Sequence, residues 1–108
     1  LNTVVSSSFD NQGQICLCGS RIFIQDSLYD KFKAKFIKRV DGLKVGDPKL
    51  ETTNMGALVS ESHLNKVLSY VDLAKEEGGR VLTGGSRIRL EGNLEEELYG
   101  LIAGYCVI

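Results

Sequence analysis

The chain has 108 residues and a mass of 11.8 kDa, with 43% hydrophobic and 25% charged residues, an ordinary globular composition that excludes intrinsic disorder. Its 13 Lys and Arg against 14 Asp and Glu leave a net charge of −1, so there is no basic excess to hold nucleic acid or an anionic membrane. No apolar run approaches the roughly 18 residues of a membrane-spanning helix, Leu1–Phe9 lacks the marks of a signal peptide, and Cys16, Cys18 and Cys106 are too few for a secreted disulfide framework, which points to a reducing, cytoplasmic setting.

Leu1, Val4, Val5 and Ser8 give Leu1–Phe9 the spacing of a helix tail. The polar Asp10–Gln14 stretch with its central Gly13 predicts a turn. Ile22-Phe23-Ile24, β-branched and aromatic, predicts a short buried strand. Asp26 and Ser27 then offer N-cap chemistry for an amphipathic helix. Leu28, Phe32, Phe36, Val40 and Leu43 form its apolar face, Lys31, Lys35, Lys38 and Arg39 lie opposite, and the helix is expected to end near Gly42.

After a polar loop at Lys49–Asn54 comes the short apolar segment Met55–Val59. Ser60 or Ser62 caps a second amphipathic helix that carries Leu64, Val67, Leu68 and Val71 and is terminated by Gly78-Gly79. Arg80–Thr83 reads as a strand closed by Gly84-Gly85. Ser86–Glu97 reads as charged and irregular, and Leu98–Ile108 as one broken strand. Strands alternating with two helices, with no repeat and no linker, imply an α/β layer with parallel strands. Because the chain starts on Leu1 and ends on the apolar Tyr105-Cys106-Val107-Ile108, residues 1–108 are expected to be a single domain or sub-domain cut from a larger protein at both ends.

The informative stretch is Phe9-Asp10-Asn11-Gln12-Gly13-Gln14-Ile15-Cys16-Leu17-Cys18-Gly19-Ser20-Arg21. It sets a thiol just beyond a glycine-bearing turn, where backbone N–H groups can converge. A thiolate there is a strong nucleophile, and the same N–H groups can hold the oxyanion formed when it attacks a carbonyl. Taken alone, Cys16 and Cys18 read more readily as small buried hydrophobes at a strand edge, because free cysteines are more often core than catalytic. Cys16 and Cys18 with the one distant His63 make no tetrahedral metal set, so no metal is expected.

Phe9-x-Asn11-x-Gly13-Gln14-x-Cys16 followed by Gly19-Ser20-Arg21 resembles the active-site cysteine motif of the NAD(P)-dependent aldehyde dehydrogenase family. Val45-Gly46-Asp47-Pro48 is similar to that family's Val-Gly-x-Pro turn, and Met55–Val59 to its Gly-Pro-x-Val segment. The resemblance runs through Gly85, and Gly104–Ile108 is similar to the start of a later family strand. Within the family, Gln14–Cys18 is most similar to semialdehyde dehydrogenases of aromatic-ring degradation.

The resemblance implies a partial aldehyde dehydrogenase catalytic domain with Cys16, and not Cys18, as nucleophile. It implies a small-molecule aldehyde as substrate, attacked to a thiohemiacetal and oxidised to a thioester that water hydrolyses to the acid. NAD or NADP takes the hydride, with NAD favoured. Asp10 and Ile15 fall where the family lines its substrate tunnel; an acidic residue at position 10, where many relatives carry an aromatic, makes that wall more polar. His63 and Lys66 match positions that contact the cofactor ribose; read without the resemblance, one is an exposed helix-start histidine and the other a solvated lysine. Asn11, Gly13 and Gln14 are read as ordering the active-site loop.

The family's general base, its oxyanion-hole Asn and its dinucleotide-binding fold match nothing in the 108 residues, and Glu91, Glu95, Glu96 and Glu97 read as a solvated charge run. The isolated chain is therefore expected to be incompetent without the rest of a parent polypeptide, which the resemblance makes a homo-oligomer. The alternatives are a stand-alone thiol redox module using Cys16 and Cys18, or a non-catalytic interaction module. The first is disfavoured because a disulfide between cysteines only two apart on an extended segment is strained.

Overall fold

The computed structural model describes residues 1–90 and the backbone of Cys106–Val107. Its elements are α1 (Asn2–Phe9), a 3-10 turn at Asp10–Gly13, a second at Asp26–Leu28, α2 (Tyr29–Asp41), α3 (Glu61–Glu76), β1 (Arg80–Val81) and β2 (Cys106–Val107). The expectations for residues 91–105 and for Ile108 lie outside the described residues. No helix among the described residues is long and apolar enough to cross a membrane.

The three helices among the described residues form where the apolar spacing is helical, and one core explains why they persist. Val5 and Phe9, a turn apart on α1, meet Phe36 and Val40, a turn apart on α2. The Phe9 and Phe36 rings lie 6.1 Å apart, and Phe32 stacks on Phe36 at 5.6 Å. Met55, Leu58 and Leu64 complete the cluster, with Leu64 wholly buried. Each such side chain contributes about 1.5–3 kcal/mol of transfer free energy, well above the few tenths that propensity supplies at one position. Packing, more than helix preference, holds these segments.

Helix ends follow local chemistry. Ser60 Oγ accepts the His63 N–H at 3.1 Å, so Ser60 and not Ser62 is the N-cap of α3. At the other end Gly78 takes φ +92°, its N–H reaches Lys75 O at 3.1 Å, and Gly79 N–H reaches Ala74 O at 2.7 Å. Two such bonds across a left-handed glycine are the Schellman termination. Asp26 and Ser27 do not cap α2; they fold into the 3-10 turn, and the helix starts after Leu28 with no side-chain cap. The α2 terminus is tied onward by Thr83 Oγ1, which donates to Asp41.

The sheet expectations need two corrections. Ile22-Phe23-Ile24 forms no strand among the described residues, and Phe23 is 93% exposed. A strand exists only where a neighbour's backbone groups pair with it, and none of the described segments lies alongside. The parallel layer is not found either. β1 pairs antiparallel with β2, Arg80 opposite Val107 and Val81 opposite Cys106. Among the described residues, only the isolated Val45–Met55 bridge is parallel. Strand–helix alternation argues for parallel pairing only when consecutive strands share a sheet, and here the segment before α2 pairs with nothing described.

Candidate active site

From Phe9 the chain leaves α1 directly into the 3-10 turn Asp10–Gly13, which leads to the candidate nucleophile. Asn11, Gln12 and Gly13 all adopt left-handed backbone, with φ of 51°, 60° and 71°. Each non-glycine residue in that region costs about 1–2 kcal/mol. Hydrogen bonds worth about 0.5–1.5 kcal/mol apiece offset the strain. Asn11 Nδ2 donates to Gln14 O at 3.1 Å, and Gln14 N–H donates to Asn11 O at 3.0 Å. Gly13 alone meets no Cβ penalty, and a Cβ there would stand 3.4 Å from Ser8 O and 3.8 Å from Cys18 Sγ.

The next four residues reverse direction again. Cys18 N–H donates to Ile15 O at 2.9 Å, which makes Cys16 and Leu17 the corner of a tight turn. Cys16 and Cys18 therefore sit on a turn and not on the extended segment expected from the sequence. The two thiols differ in setting. Cys18 is half-buried and its Sγ donates to Ser8 O at 3.3 Å. Cys16 is exposed, and among the described residues its N–H has no hydrogen-bond partner. An open thiol beside its own uncommitted N–H can attack a carbonyl carbon and receive the resulting oxyanion.

The turn is anchored across the fold by two side-chain amides. Gln14 Oε1 accepts the Val59 N–H at 3.1 Å, a contact spanning 45 positions. With its amide oriented as its neighbours require, Gln12 accepts the Gly56 N–H at 2.8 Å and donates to Asn11 O at 2.8 Å. Sequence reasoning gave Gln14 a role inside its own loop and passed over Gln12 and Gly56. The available signal was a pair of amides flanking Gly13, and a glycine in the 55–59 segment where a neighbour must come close.

The remaining candidates are dispersed. Asp10 is exposed and lines a cavity of about 210 Å³ with Val5, Arg39 and Asn54 among its walls, which include neither Ile15 nor Cys16. Ile15 is exposed beside Cys16. His63 is half-buried and Lys66 exposed, both in the first turns of α3 and three apart, hence on one side of it. A ribose needs donors and acceptors of this kind, and the imidazole and ammonium supply them at a helix start where the dipole also favours a phosphate. The residues present fit a nucleotide on those chemical grounds. Among the described residues no three His, Cys, Asp or Glu side chains gather as a metal set.

Comparison with known proteins bears on the whole described segment. Residues 1–99 match the model of the aldehyde dehydrogenase family. Aldehyde dehydrogenase B of Escherichia coli is 45% identical over 89 residues, covering 82% of this chain and 17% of that protein. The 2-aminomuconic semialdehyde dehydrogenase of Mus musculus is 54% identical over 80 residues, covering 74% and 16%. In structure, betaine aldehyde dehydrogenase of Staphylococcus aureus, solved in complex with NAD+, superposes with a TM-score of 0.85 at 33% identity, over 95% of this chain and 20% of that one. The chain thus spans between 16% and 20% of the length of these relatives. Sequence and backbone agree over nearly all the described residues, and the chain belongs to the aldehyde dehydrogenase family.

Proposed function

We infer that this segment works within a full-length NAD(P)-dependent aldehyde dehydrogenase, and that it supplies the nucleophile Cys16. The observation that carries the reading is the difference between the two thiols: Cys16 is open at the corner of its turn, whereas Cys18 is engaged with Ser8 O. The Cys16 thiolate adds to the aldehyde carbon, forming a C–S bond while the carbonyl electron pair moves onto oxygen. The Cys16 N–H is available to hold that oxyanion. Collapse of the oxyanion re-forms the C=O bond as hydride leaves carbon, which gives a thioester on Cys16. Water then breaks the C–S bond, releasing the carboxylic acid and restoring the thiol. When bound, the nicotinamide of NAD(P) provides the two-electron acceptor for the hydride, and His63 and Lys66 would hold the ribose of that cofactor. NAD is favoured: the betaine aldehyde dehydrogenase that this chain resembles in structure was solved with NAD+.

The aldehyde is proposed to be a semialdehyde, on the 54% identity to 2-aminomuconic semialdehyde dehydrogenase and the acidic Asp10 beside the loop. Absent from the 108 residues is any match to the family's general base or dinucleotide fold, so the segment alone is proposed to be inactive and to need the remaining polypeptide, in a homo-oligomer. The test is chemical trapping in the full-length enzyme. Acid quenching during turnover, followed by peptide mass spectrometry, is expected to find the acyl group on the peptide carrying Cys16 and on that sulfur. An acyl group on Cys18, or none on either thiol, would overturn the reading.

A further inference from the structure

The contact between the cysteine turn and the segment ahead of α3 is made by side-chain amides on one side and backbone N–H groups on the other. Gln14 lies two residues before Cys16 and holds Val59, the residue immediately before the Ser60 N-cap. Gln12 holds Gly56 three residues earlier. Between the two held N–H groups Leu58 is buried in the core, as is Met55 just ahead of them. The segment is thus gripped from below by apolar packing and from the side by two amides. Val59 itself is 75% exposed, so its side chain contributes nothing comparable to that grip. Gly56 adds an independent mark of close fit: a Cβ there would stand 3.3 Å from the Gln12 amide.

We propose that Gln12 and Gln14 are positioning residues for the reaction at Cys16, a two-amide clasp that fixes the cysteine turn against the start of the helix bearing His63 and Lys66. The proposal rests on the reading of Cys16 as nucleophile and of the α3 start as the cofactor side. On that reading the thioester forms only when the carbon on Cys16 and the nicotinamide are in register. The clasp is a hydrogen-bonded link between the Gln12–Gln14 stretch and the segment ahead of α3, with one residue between Gln14 and the thiol and none between Val59 and the cap. It needs no contact with substrate. Its effect falls on geometry, and a displacement of about 1 Å at reacting atoms can cost up to about a hundredfold in rate.

The acceptor role of Gln14 gives a clean comparison. Gln14→Met keeps the shape and removes the acceptor; Gln14→Glu keeps an oxygen in place to accept the Val59 N–H. In the full-length enzyme, kcat of Gln14→Met at saturating aldehyde and cofactor is expected to fall about tenfold or more, with Gln14→Glu recovering most of it. Alkylation of the exposed Cys16 thiol by iodoacetamide needs no cofactor register, so its rate is expected to stay within about threefold of wild type. Should Gln14→Met not fold, Gln12→Met removes the acceptor of the Gly56 N–H together with the donor to Asn11 O, and is expected to lower kcat in the same way. Unchanged kcat in the folded Met variants, or a fall in alkylation that tracks the fall in kcat, overturns the clasp. Full activity in Cys16→Ala would instead overturn the nucleophile reading beneath it, so the two failures are separable.

Discussion

The Cys18 thiol donates to the Ser8 carbonyl of α1 at 3.3 Å, which occupies that sulfur and leaves Cys16 as the open thiol of the pair. Removing the two sulfurs should therefore have unequal consequences. In the full-length enzyme, Cys16→Ala is expected to abolish aldehyde oxidation. Cys18→Ala removes one hydrogen bond worth about 0.5–1.5 kcal/mol and should leave most activity in place. Steady-state NADH formation by the two variants checks this, and equal losses would refute the assignment.

Gly13 stands third in a left-handed run, at φ +71°. Gly13→Ala places a Cβ 3.4 Å from Ser8 O and 3.8 Å from Cys18 Sγ, both ordinary contacts, so the cost comes from the backbone and not from crowding. About 1–2 kcal/mol of destabilisation is expected. A lowered Tm in thermal unfolding is the readout. An unchanged Tm would mean that the turn relaxes to another conformation without penalty.

Among the described residues, Leu64 is the one wholly buried side chain of the core, packed in one cluster with Met55 and Leu58. Leu64→Ala should cost about 2–5 kcal/mol, the combined loss of transfer free energy and of the contacts around the cavity left behind. Val67, at the rim of the same cluster, is only partly buried. Val67→Ala should therefore cost distinctly less, and denaturation of the two variants side by side tests the ranking.

The helices were legible because their signal is local: Val5 and Phe9, Phe36 and Val40, Leu64 and Val71 repeat at helical spacing, and Ser60 and Gly78 mark the ends of α3. Ile22–Ile24 misled for the converse reason. β-branched and aromatic residues state a preference for a pleated surface, but a strand is completed by a partner that its own sequence does not specify. The strand direction at β1 was illegible on the same ground. At the site, the motif located the cysteine turn and its Asn11, Gly13 and Gln14. It did not reveal that the Gln12 and Gln14 amides reach Gly56 and Val59, the latter 45 positions away, because side-chain-to-backbone contacts between distant segments leave no periodicity to read.

The start of α3 supplies the remaining test. Ser60 Oγ accepts the N–H of His63, so the cap and the candidate ribose contact share one backbone group. Losing the cap in Ser60→Ala should cost about 1 kcal/mol, and that loss falls on the first turn, where His63 sits. Lys66 lies a turn further in and its backbone carbonyl accepts Ser69 Oγ–H at 2.8 Å, so its position depends less on the cap. In the full-length enzyme, His63→Ala and Lys66→Ala each remove a side-chain donor worth about 0.5–1.5 kcal/mol, which amounts to a several-fold rise in cofactor KM with kcat affected less than in any Cys16 variant. Ser60→Ala should raise cofactor KM through His63 alone. Adding Ser60→Ala to His63→Ala should then raise KM little further, whereas adding it to Lys66→Ala should compound. Steady-state kinetics with cofactor varied at saturating aldehyde distinguish these patterns. If KM is unchanged in both single side-chain variants, the α3 start is solvated surface and the cofactor is held elsewhere.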